Sequence, residues 1–559
     1  MRAGVAQLGA VALLAACSGT GAVRQSGGAP LPRPLPTVFP RTVAERTGFR
    51  ETSRYAAVQA FLDSLQLLGA PIWVGEIGKT TEGRALPLVI LSRPLVTTPA
   101  QARRLGRPVI YLQANIHAGE VEGKEAVQAL VRDLALAPGP NSLDSVVLLA
   151  VPIYNADGNE RVAAQSRNRS SQNGPEMVGE RANAQGLDLN RDYIKAEAPE
   201  TRASLRALNE WDPDIFVDLH TTNGSYHGYA LTYSPSLNPA AFFGGSYTRD
   251  SLLPVLRSRM RERRGFETFD YGNFDSQDSV QNGWKTYDSR PRFGTNYLGL
   301  RGRIAILSEA YSHDPFEKRV RATYAFVSEI LSLAAERANQ IRTLSRIADS
   351  SVTAWGMRAG SAPKIPLSSE LTSNPVIAEV LVEDVERTGD SSLTEPGVPR
   401  GVHRTGRTRA VRMPVHDRFV PGLERSLPYG YSLAAADEAA VRKLQLHGVM
   451  VERLSQEWTA AIETFVVDSI IIAERLFQGH FEVRLAGRWN RGNRLLPAGS
   501  YLISTAQPLG FVAFYLLEPE SDDGLTTWNT FDARLSRGGE FPVLRIVSPV
   551  SGARRVQSP

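Results

Sequence analysis

Cysteine is almost absent from this chain of 559 residues, which contains only Cys17. One cysteine excludes an internal disulfide, so the fold cannot depend on such a cross-link. A strong excess of charge of one sign is also lacking. The formal net charge of +5 is small for this length and gives no indication of a nucleic-acid partner. The apolar content, in contrast, is 42%, which supports large buried cores.

The first residues have the order of a secretory signal. Met1 and Arg2 precede mostly apolar and small residues up to position 16, a run too short to span a bilayer. Leu-Ala-Ala then precedes Cys17, which resembles a bacterial lipoprotein signal over residues 1–17. This resemblance predicts that Cys17 is lipidated and anchors the protein in the bacterial cell envelope, at the outer membrane. The alternative is a plain secretory signal with an incidental cysteine, which predicts a secreted protein.

Residues 18–45 are predicted to form a tether. They are rich in Gly, Ala and Pro, and several prolines stand at alternate positions. Such a composition favours a semi-extended chain without a packed core. A folded domain is therefore expected to begin near residue 46.

His117 and Glu120 follow an apolar run, Val109 to Leu112, that predicts a buried strand. In open α/β sheets, ligands bind at the carboxyl ends of the strands. An imidazole and a carboxylate three positions apart can converge on one point and form a ligand pair that suits Zn²⁺. The same pair also fits a surface histidine followed by a solvated glutamate.

Two later segments repeat this arrangement. The apolar run from Asp214 leads into His220, and the run from Arg303 leads into Glu309. Three strands that each end in a ligand or a base indicate a single site. His220 is then the natural third ligand, and Glu309 is a further ligand or a base.

Two polar segments lie between these strands. Asp188, Asn190 and Asp192 alternate with other residues, which predicts a short extended piece with these three side chains on one side. The Ser/Asn-rich loop upstream contains Arg167 and Arg169. Either this loop is a solvated excursion or one of its arginines points at an anion in the site.

Six motifs, in this order, resemble the zinc carboxypeptidases of the carboxypeptidase A type. They are Gly-x-x-x-Glu-Gly-Arg at 78–84, His-x-x-Glu at 117–120, Asn-x-Asp-Gly at 155–158, Gly-x-Asp-x-Asn-Arg at 186–191, the histidine at 220 and the glutamate at 309. Six ordered motifs are far more specific than one. The resemblance implies an α/β catalytic domain over residues 46–345, with a mixed central sheet flanked by helices.

The resemblance also implies roles for individual residues. His117, Glu120 and His220 would hold one Zn²⁺ per catalytic domain, with a water in the open position. Asp188 would orient His117, as metal-bound histidines usually require. Glu309 would be the general base that takes a proton from the water activated by the metal.

The substrate contacts are implied in the same way. Asn190 and Arg191 would bind the terminal carboxylate of a peptide, Arg191 as a charged donor fork. Arg169 would stabilise the oxyanion, with Arg167 as the alternative. Tyr287 is the better match to the family's mobile tyrosine that closes over substrate, and Tyr297 is the other candidate.

The carboxyl-terminal part differs in character. After a polar linker over residues 350–368, short apolar runs alternate with turn residues, which predicts a β-rich accessory region over residues 370–559. Predicted strands in this region include 481–485 and 510–517, and a helix is predicted over 434–446.

The predicted function is that of a zinc-dependent metallocarboxypeptidase, which hydrolyses the last residue of peptides with a free carboxyl terminus. Two alternatives remain open. The first is a zinc amidohydrolase that acts on peptidoglycan stem peptides or acyl-amino acids, and the second is a non-catalytic binding lipoprotein of the envelope. The intact set of His117, Glu120, His220 and Glu309 argues against the second alternative.

Overall fold

The computed structural model describes residues 39–557, except 361, 391, 393, 394 and 396. Cys17, the predicted signal and most of the predicted tether lie outside these residues, so their assignment stays a prediction. The chain from Pro40 onward forms one compact unit. None of the helices in the described ranges is both long and apolar enough to cross a membrane.

The described residues contain fourteen α-helices. In chain order these are α1 (Val43–Arg46), α2 (Tyr55–Leu67), α3 (Pro99–Leu105), α4 (Glu122–Leu136), α5 (Ala156–Glu160), α6 (Gln165–Asn168), α7 (Pro199–Trp211), α8 (Gly244–Tyr247), α9 (Leu253–Arg264), α10 (Gly294–Leu300), α11 (Phe316–Glu336), α12 (Ala338–Met357), α13 (Glu438–Leu446) and α14 (Gly510–Leu517).

The strands of the same ranges number twenty-four. In chain order these are β1 (Ile72–Lys79), β2 (Ala85–Leu91), β3 (Val109–Ala114), β4 (Val147–Val151), β5 (Ala163–Ala164), β6 (Met177–Val178), β7 (Ile215–Thr221), β8 (Leu231–Pro235), β9 (Thr268–Asp270), β10 (Trp284–Lys285), β11 (Ile304–Ala310), β12 (Ile365–Pro366), β13 (Ser369–Leu371), β14 (Val376–Arg387), β15 (Val402–His416), β16 (Phe419–Pro421), β17 (Glu424–Arg425), β18 (Gly430–Leu433), β19 (Glu452–Leu454), β20 (Trp458–Ile472), β21 (Val483–Leu496), β22 (Tyr501–Ser504), β23 (Leu544–Ile546) and β24 (Arg555–Gln557).

Eight of these strands form a mixed central sheet in the order β1-β2-β4-β3-β7-β11-β8-β9. Its middle strands β4, β3, β7 and β11 run parallel, whereas β1, β2 and β8 pair antiparallel with their inner neighbours. The predicted α/β class is thereby confirmed. Because the middle strands are parallel, their carboxyl ends meet at one edge of the sheet.

Helices cover both faces of this sheet. On one face, Ile110 and Leu112 of β3 pack into a core with α2, α4, α9 and α11. On the other face, Val109 and Tyr111 join a core that includes α7, α10 and much of the carboxyl-terminal region. Alternate residues of a strand point to opposite faces, so the even-numbered positions of β7 and the odd-numbered positions of β11 share the second face.

The carboxyl-terminal region is rich in strands, as predicted. Its main sheet has seven strands in the order β21-β20-β23-β18-β22-β19-β24. The hairpin of β14 and β15 joins β10 in a three-stranded sheet, so it extends an element that precedes residue 345. One continuous apolar core contains residues of α7, α10, α13 and α14.

Two predicted elements of this region are wrong. Residues 510–517, predicted as a strand, form helix α14. All eight residues of α14 are buried. The segment therefore has no exposed polar residues whose spacing could distinguish a helix from a strand. Helix α12 continues to Met357, so the first part of the predicted linker over 350–368 is helical.

Candidate metal centre

Three side chains converge at the carboxyl edge of the central sheet. His117 follows β3 after Asn115, which adopts a left-handed φ of 64° and turns the chain. His220 lies in β7, and its backbone is in register with Glu309 on the parallel neighbour β11. The prediction that these strand ends meet at one place is therefore correct.

The ligand atoms of His117, Glu120 and His220 all lie within 4.8 Å of one another, and the three residues are buried. His117 Nδ1 lies 3.1 Å from Glu120 Oε1, and His220 Nδ1 lies 3.0 Å from Glu120 Oε2. The two Nδ1 atoms are 3.2 Å apart. Such a cluster has the composition and closeness of a three-ligand Zn²⁺ site with a fourth position left for water or substrate.

The opposite nitrogens of both rings face carboxylates. His117 Nε2 lies 2.9 Å from Asp188 Oδ1, and His220 Nε2 lies 3.0 Å from Asp218 Oδ2. A carboxylate at Nε2 favours the proton on that nitrogen, which leaves Nδ1 as the nitrogen that faces the shared centre and could bind a metal. The donor set therefore fits a divalent metal with a preference for nitrogen and oxygen ligands. Asp188 was predicted for this position, whereas Asp218 was not.

Electrostatics keep the site charged. Burial alone favours the neutral form of Glu120, but attraction to His117 and Arg169 holds its pKa well below the usual range. Burial likewise opposes the charged form of His220, but the Asp218 carboxylate raises the pKa of His220 well above its ordinary value. Fixed charges of opposite sign therefore surround the buried charged groups of the centre.

Glu309 lies near this cluster but is not one of its three candidate metal ligands. Its carboxylate is buried, and Oε2 has no hydrogen-bond partner among the described residues. Burial raises the pKa of Glu309, and the nearby negative charge of Glu120 raises it further. A carboxylate without hydrogen bonds and with a raised pKa is a stronger proton acceptor than a solvated one.

The segment with Asp188 and Asn190 is not an extended piece as predicted. Residues Leu189–Arg191 form a 3₁₀ turn, because the Asp188 side chain accepts a hydrogen bond from the Asn190 backbone N–H at 2.9 Å. The turn separates Asp192 from the site, where it was expected beside the other two. Asp192 is buried and accepts instead from the backbone N–H groups of Glu197 and Ala198.

Asn190 and Arg191 both lie at the site. Asn190 Nδ2 lies 3.3 Å from His220 Nε2, and Asn190 Oδ1 accepts from the Gly294 backbone N–H at 3.0 Å. The Arg191 guanidinium stacks on the Phe293 ring at 4.0 Å. Burial lowers the pKa of Arg191, so a carboxylate partner would be favourable there.

Arg169 lies at the centre, whereas Arg167 is exposed on α6. Arg169 Nη1 donates to Glu120 Oε1 at 3.0 Å, and Nη2 donates to the backbone carbonyls of Thr221 and Thr222. Arg169 therefore fixes the ligand carboxylate against the end of β7.

Arg181 is a site residue that the sequence reasoning missed. It donates to Asp188 Oδ2 from both Nε and Nη2, at 3.1 and 2.8 Å. Its Nη1 lies 3.4 Å from Glu120 Oε1, and 38% of its side chain is exposed. It lies outside the motifs recognised in the sequence, so only the three-dimensional contacts identify it.

The two candidate tyrosines have different surroundings. The Tyr287 ring packs against Tyr271 and Phe293, and its hydroxyl has no partner among the described residues. Burial and the Glu309 charge raise the pKa of Tyr287. Tyr297 is fully buried, and its hydroxyl lies 2.8 Å from His447 Nδ1 in the core.

Part of this chain matches a known protein family in sequence. The description "Zinc carboxypeptidase" belongs to the family whose sequence profile matches residues 59–242. Carboxypeptidase 2 of Trichophyton equinum is 24% identical over 486 residues, which cover 84% of this chain and 81% of that protein. Carboxypeptidase D of Mus musculus is 28% identical over 203 residues, which cover 32% of this chain and 14% of that protein.

Two solved structures match about half of this chain with low overall similarity. The metallo-carboxypeptidase of Pseudomonas aeruginosa, in complex with (2-guanidinoethylmercapto)succinic acid, is 16% identical with a TM-score of 0.37, and the match covers 50% of this chain and 69% of that one. Carboxypeptidase A of Helicoverpa armigera is 15% identical with a TM-score of 0.38, over 52% of this chain and 75% of that one. The segment matched by the family profile contains His117, Glu120 and His220 and ends before Glu309.

Proposed function

We propose that this chain, which carries a zinc carboxypeptidase domain over residues 59–242, removes single residues from the carboxyl terminus of peptides. Its class as a peptide hydrolase with zinc as cofactor agrees with the carboxypeptidase relatives and with the ligand cluster. The observation that carries the proposal is the meeting of His117, Glu120 and His220 opposite the unpartnered carboxylate of Glu309.

His117, Glu120 and His220 would hold the zinc ion. When bound, Zn²⁺ polarises a carbonyl oxygen and makes water acidic enough to attack near neutral pH. The chain's own part is to fix the ligands: Asp188 and Asp218 hold the two rings, and Arg169 holds the Glu120 carboxylate.

Glu309 supplies the proton transfer. Its free Oε2 would accept a proton from the attacking water and deliver it to the amine nitrogen of the residue that leaves. The register of Glu309 with His220 on the neighbouring strand keeps base and ligand at a constant separation. Tyr287, whose hydroxyl is available, would close the site over the substrate.

Asn190 and Arg191 would bind the terminal carboxylate. Stacking on Phe293 holds the Arg191 guanidinium plane in one orientation, so less conformational entropy is lost when the carboxylate binds. This clamp favours an exopeptidase, because an endopeptidase substrate would leave the cation without a partner at that position.

Arginine would also stabilise the developing oxyanion. Arg169 keeps the role predicted for it if one of its donors leaves the carbonyls of Thr221 and Thr222 when substrate binds. Arg181 is the second candidate, because it is partly exposed and already within 3.4 Å of Glu120.

The proposed cellular location of the protein has its own basis. It rests on the resemblance of residues 1–17 to a lipoprotein signal, and it predicts lipidation at Cys17 and anchoring in the cell envelope. Metabolic labelling with a radioactive fatty acid, compared between wild type and Cys17→Ser, tests it. Label in both proteins or in neither would contradict the anchor.

The decisive experiment compares wild type with Glu309→Gln on peptides with free and with amidated carboxyl termini. We expect one zinc per chain in both proteins, release of single terminal residues only from free ends by the wild type, and loss of release in the variant. Zinc without release from linear peptides, but with release from peptidoglycan fragments or acyl-amino acids, would favour the amidohydrolase instead. Absence of zinc would contradict both.

A further inference from the structure

The tip of the hairpin formed by β20 and β21, residues 473–482, reaches the catalytic domain from the carboxyl-terminal region. Its turn is tight: Phe477 and His480 exchange both backbone hydrogen bonds, at 2.8 and 3.0 Å. The two residues between them, Gln478 and Gly479, have φ of 52° and 82°. This is the geometry of a two-residue turn with left-handed central residues, which gives the hairpin a rigid end.

Two side chains of this turn fasten it beside the metal centre. Gln478 Oε1 accepts a hydrogen bond at 2.8 Å from the backbone N–H of Asp188, the residue that contacts His117. His480 Nε2 lies 3.0 Å from Glu197 Oε2. Both contacts are on the catalytic side of the molecule, so the tip borders the segment 188–197 and does not project freely into solvent.

A third contact continues toward the proposed carboxylate clamp. The Arg292 guanidinium lies 5.3 Å from the centre of the Phe477 ring, and Glu482 at the end of the tip lies 2.7 Å from Arg292 Nη1. The next residue, Phe293, carries the stacked Arg191. The tip and the clamp therefore share one short stretch of chain.

The surface that the tip presents at this place is apolar. Leu476 is 63% exposed, Phe477 36% and Phe481 47%. Exposed apolar residues grouped in one short turn favour an interaction site, because their burial by a ligand is favourable. These three residues are called the apolar rim below.

We infer that the apolar rim forms one wall of the substrate cleft and binds apolar side chains next to the bond that is cut. The inference rests on the proposed exopeptidase function. The ligand that we expect on the apolar rim is a peptide with apolar residues in its last two positions. The site favours this occupant because the rim is held against Asp188 and against the segment that carries the terminal-carboxylate clamp.

The test measures kcat/KM for peptides with a blocked amino terminus and a free carboxyl terminus. The peptides differ only in carrying Phe or Ala in the last two positions. We expect the wild type to prefer Phe, and we expect the Phe-to-Ala preference to fall by about tenfold in Leu476→Ser and in Phe477→Ser. The Leu476 variant is the safer one, because this side chain is mostly exposed and the fold does not depend on it. Leu495→Ser is the matched control, since Leu495 is 54% exposed on the same hairpin and pairs with Thr459 at its far end.

An unchanged preference in both rim variants, with terminal residues still released, would overturn the inference and leave the proposed function intact. A membrane contact is the competing use of an apolar tip. Flotation of the unlipidated Cys17→Ser protein with phosphatidylglycerol vesicles, lost in Leu476→Ser while the peptide preference stays the same, would also overturn it. If the wild type releases nothing from any peptide, the proposed function fails first.

Discussion

Asp188 and Gln478, 290 positions apart in the chain, are joined by a hydrogen bond of 2.8 Å from the Asp188 backbone N–H to the Gln478 side chain. Asp188 in turn contacts His117 Nε2 through its carboxylate. The carboxyl-terminal region thus supports the orientation of a metal ligand through the side chain of Gln478, which a single substitution can remove.

Gln478→Gly should weaken zinc binding without unfolding the protein. Glycine accepts the left-handed φ of 52° without strain, so this variant removes the acceptor and little else. We expect the zinc affinity to fall severalfold, measured by competition with a chelator, with a larger effect on kcat than on KM. The control is Gln185→Ala, an exposed glutamine three positions before Asp188. Equal zinc affinity in both variants would show that the hydrogen bond has no positioning role.

Asp188→Asn and Asp218→Asn should each reduce zinc affinity by about 10- to 100-fold, because both carboxylates hold the Nε2 side of a ligand histidine. An asparagine can present its N–H₂ group to the ring and then favours the wrong tautomer. The effect is measurable by isothermal titration of the metal-free protein with zinc. A variant that kept wild-type affinity would show that its carboxylate does not set the tautomer.

Tyr287→Phe and Tyr297→Phe should have opposite phenotypes. Loss of the Tyr297 hydroxyl leaves His447 Nδ1 buried without a partner, which should cost about 1–3 kcal/mol of unfolding free energy with little change in kcat/KM. Loss of the Tyr287 hydroxyl should lower kcat/KM and leave stability nearly unchanged. Denaturant unfolding and steady-state kinetics of both variants decide which tyrosine serves the substrate, and the reverse pattern would make it Tyr297.

Stability should fall in acid through Glu197. Burial alone would raise the pKa of Glu197, but the hydrogen bond with His480 and the charge of Lys195 lower it to about 2 from 4.5. A lowered pKa contributes stability that is present above pH 4.5 and is lost as the pH falls from there toward 2. Because the pair is partly exposed, we expect about 1 kcal/mol.

The measurement compares the free energy of unfolding at pH 6 and pH 3 in wild type and Glu197→Gln. The difference between the two pH values should be smaller in the variant. Glu210→Gln is the control, because Glu210 is an exposed carboxylate on helix α7, which begins two residues after Glu197, and it should leave the wild-type difference unchanged. A variant with the full wild-type difference would exclude Glu197 as the group responsible.

The sequence predicted the elements that position the metal centre, because each of them is a buried apolar run with an abrupt polar end. His117, His220 and Glu309 stand at or just after such ends, and alternation along the strand fixes the face to which His220 and Glu309 point. The residues that were missed lack such a local pattern. Asp218 lies inside an apolar strand, Arg181 lies in an irregular loop, and Gln478 becomes relevant only through a contact 290 positions away.

The incorrect elements have physical reasons of their own. Helix α14 is buried on all sides and has no polar stripe that reveals its period. The turn at Leu189–Arg191 forms because Asp188 captures a nearby backbone N–H, which an alternating pattern alone does not disclose. In this chain, periodicity therefore failed where a segment is completely buried and where a local side-chain hydrogen bond sets the backbone.

The apolar core shared by α7, α13 and the central sheet has a consequence for how this protein can be handled. Leu205 and Leu208 on the catalytic side and Val441 and Leu444 on the other side belong to one buried apolar layer. A chain shortened at the end of α12 would expose this layer and should aggregate during synthesis. We therefore expect the catalytic domain to stay soluble only together with the carboxyl-terminal region, although that region carries none of the metal ligands.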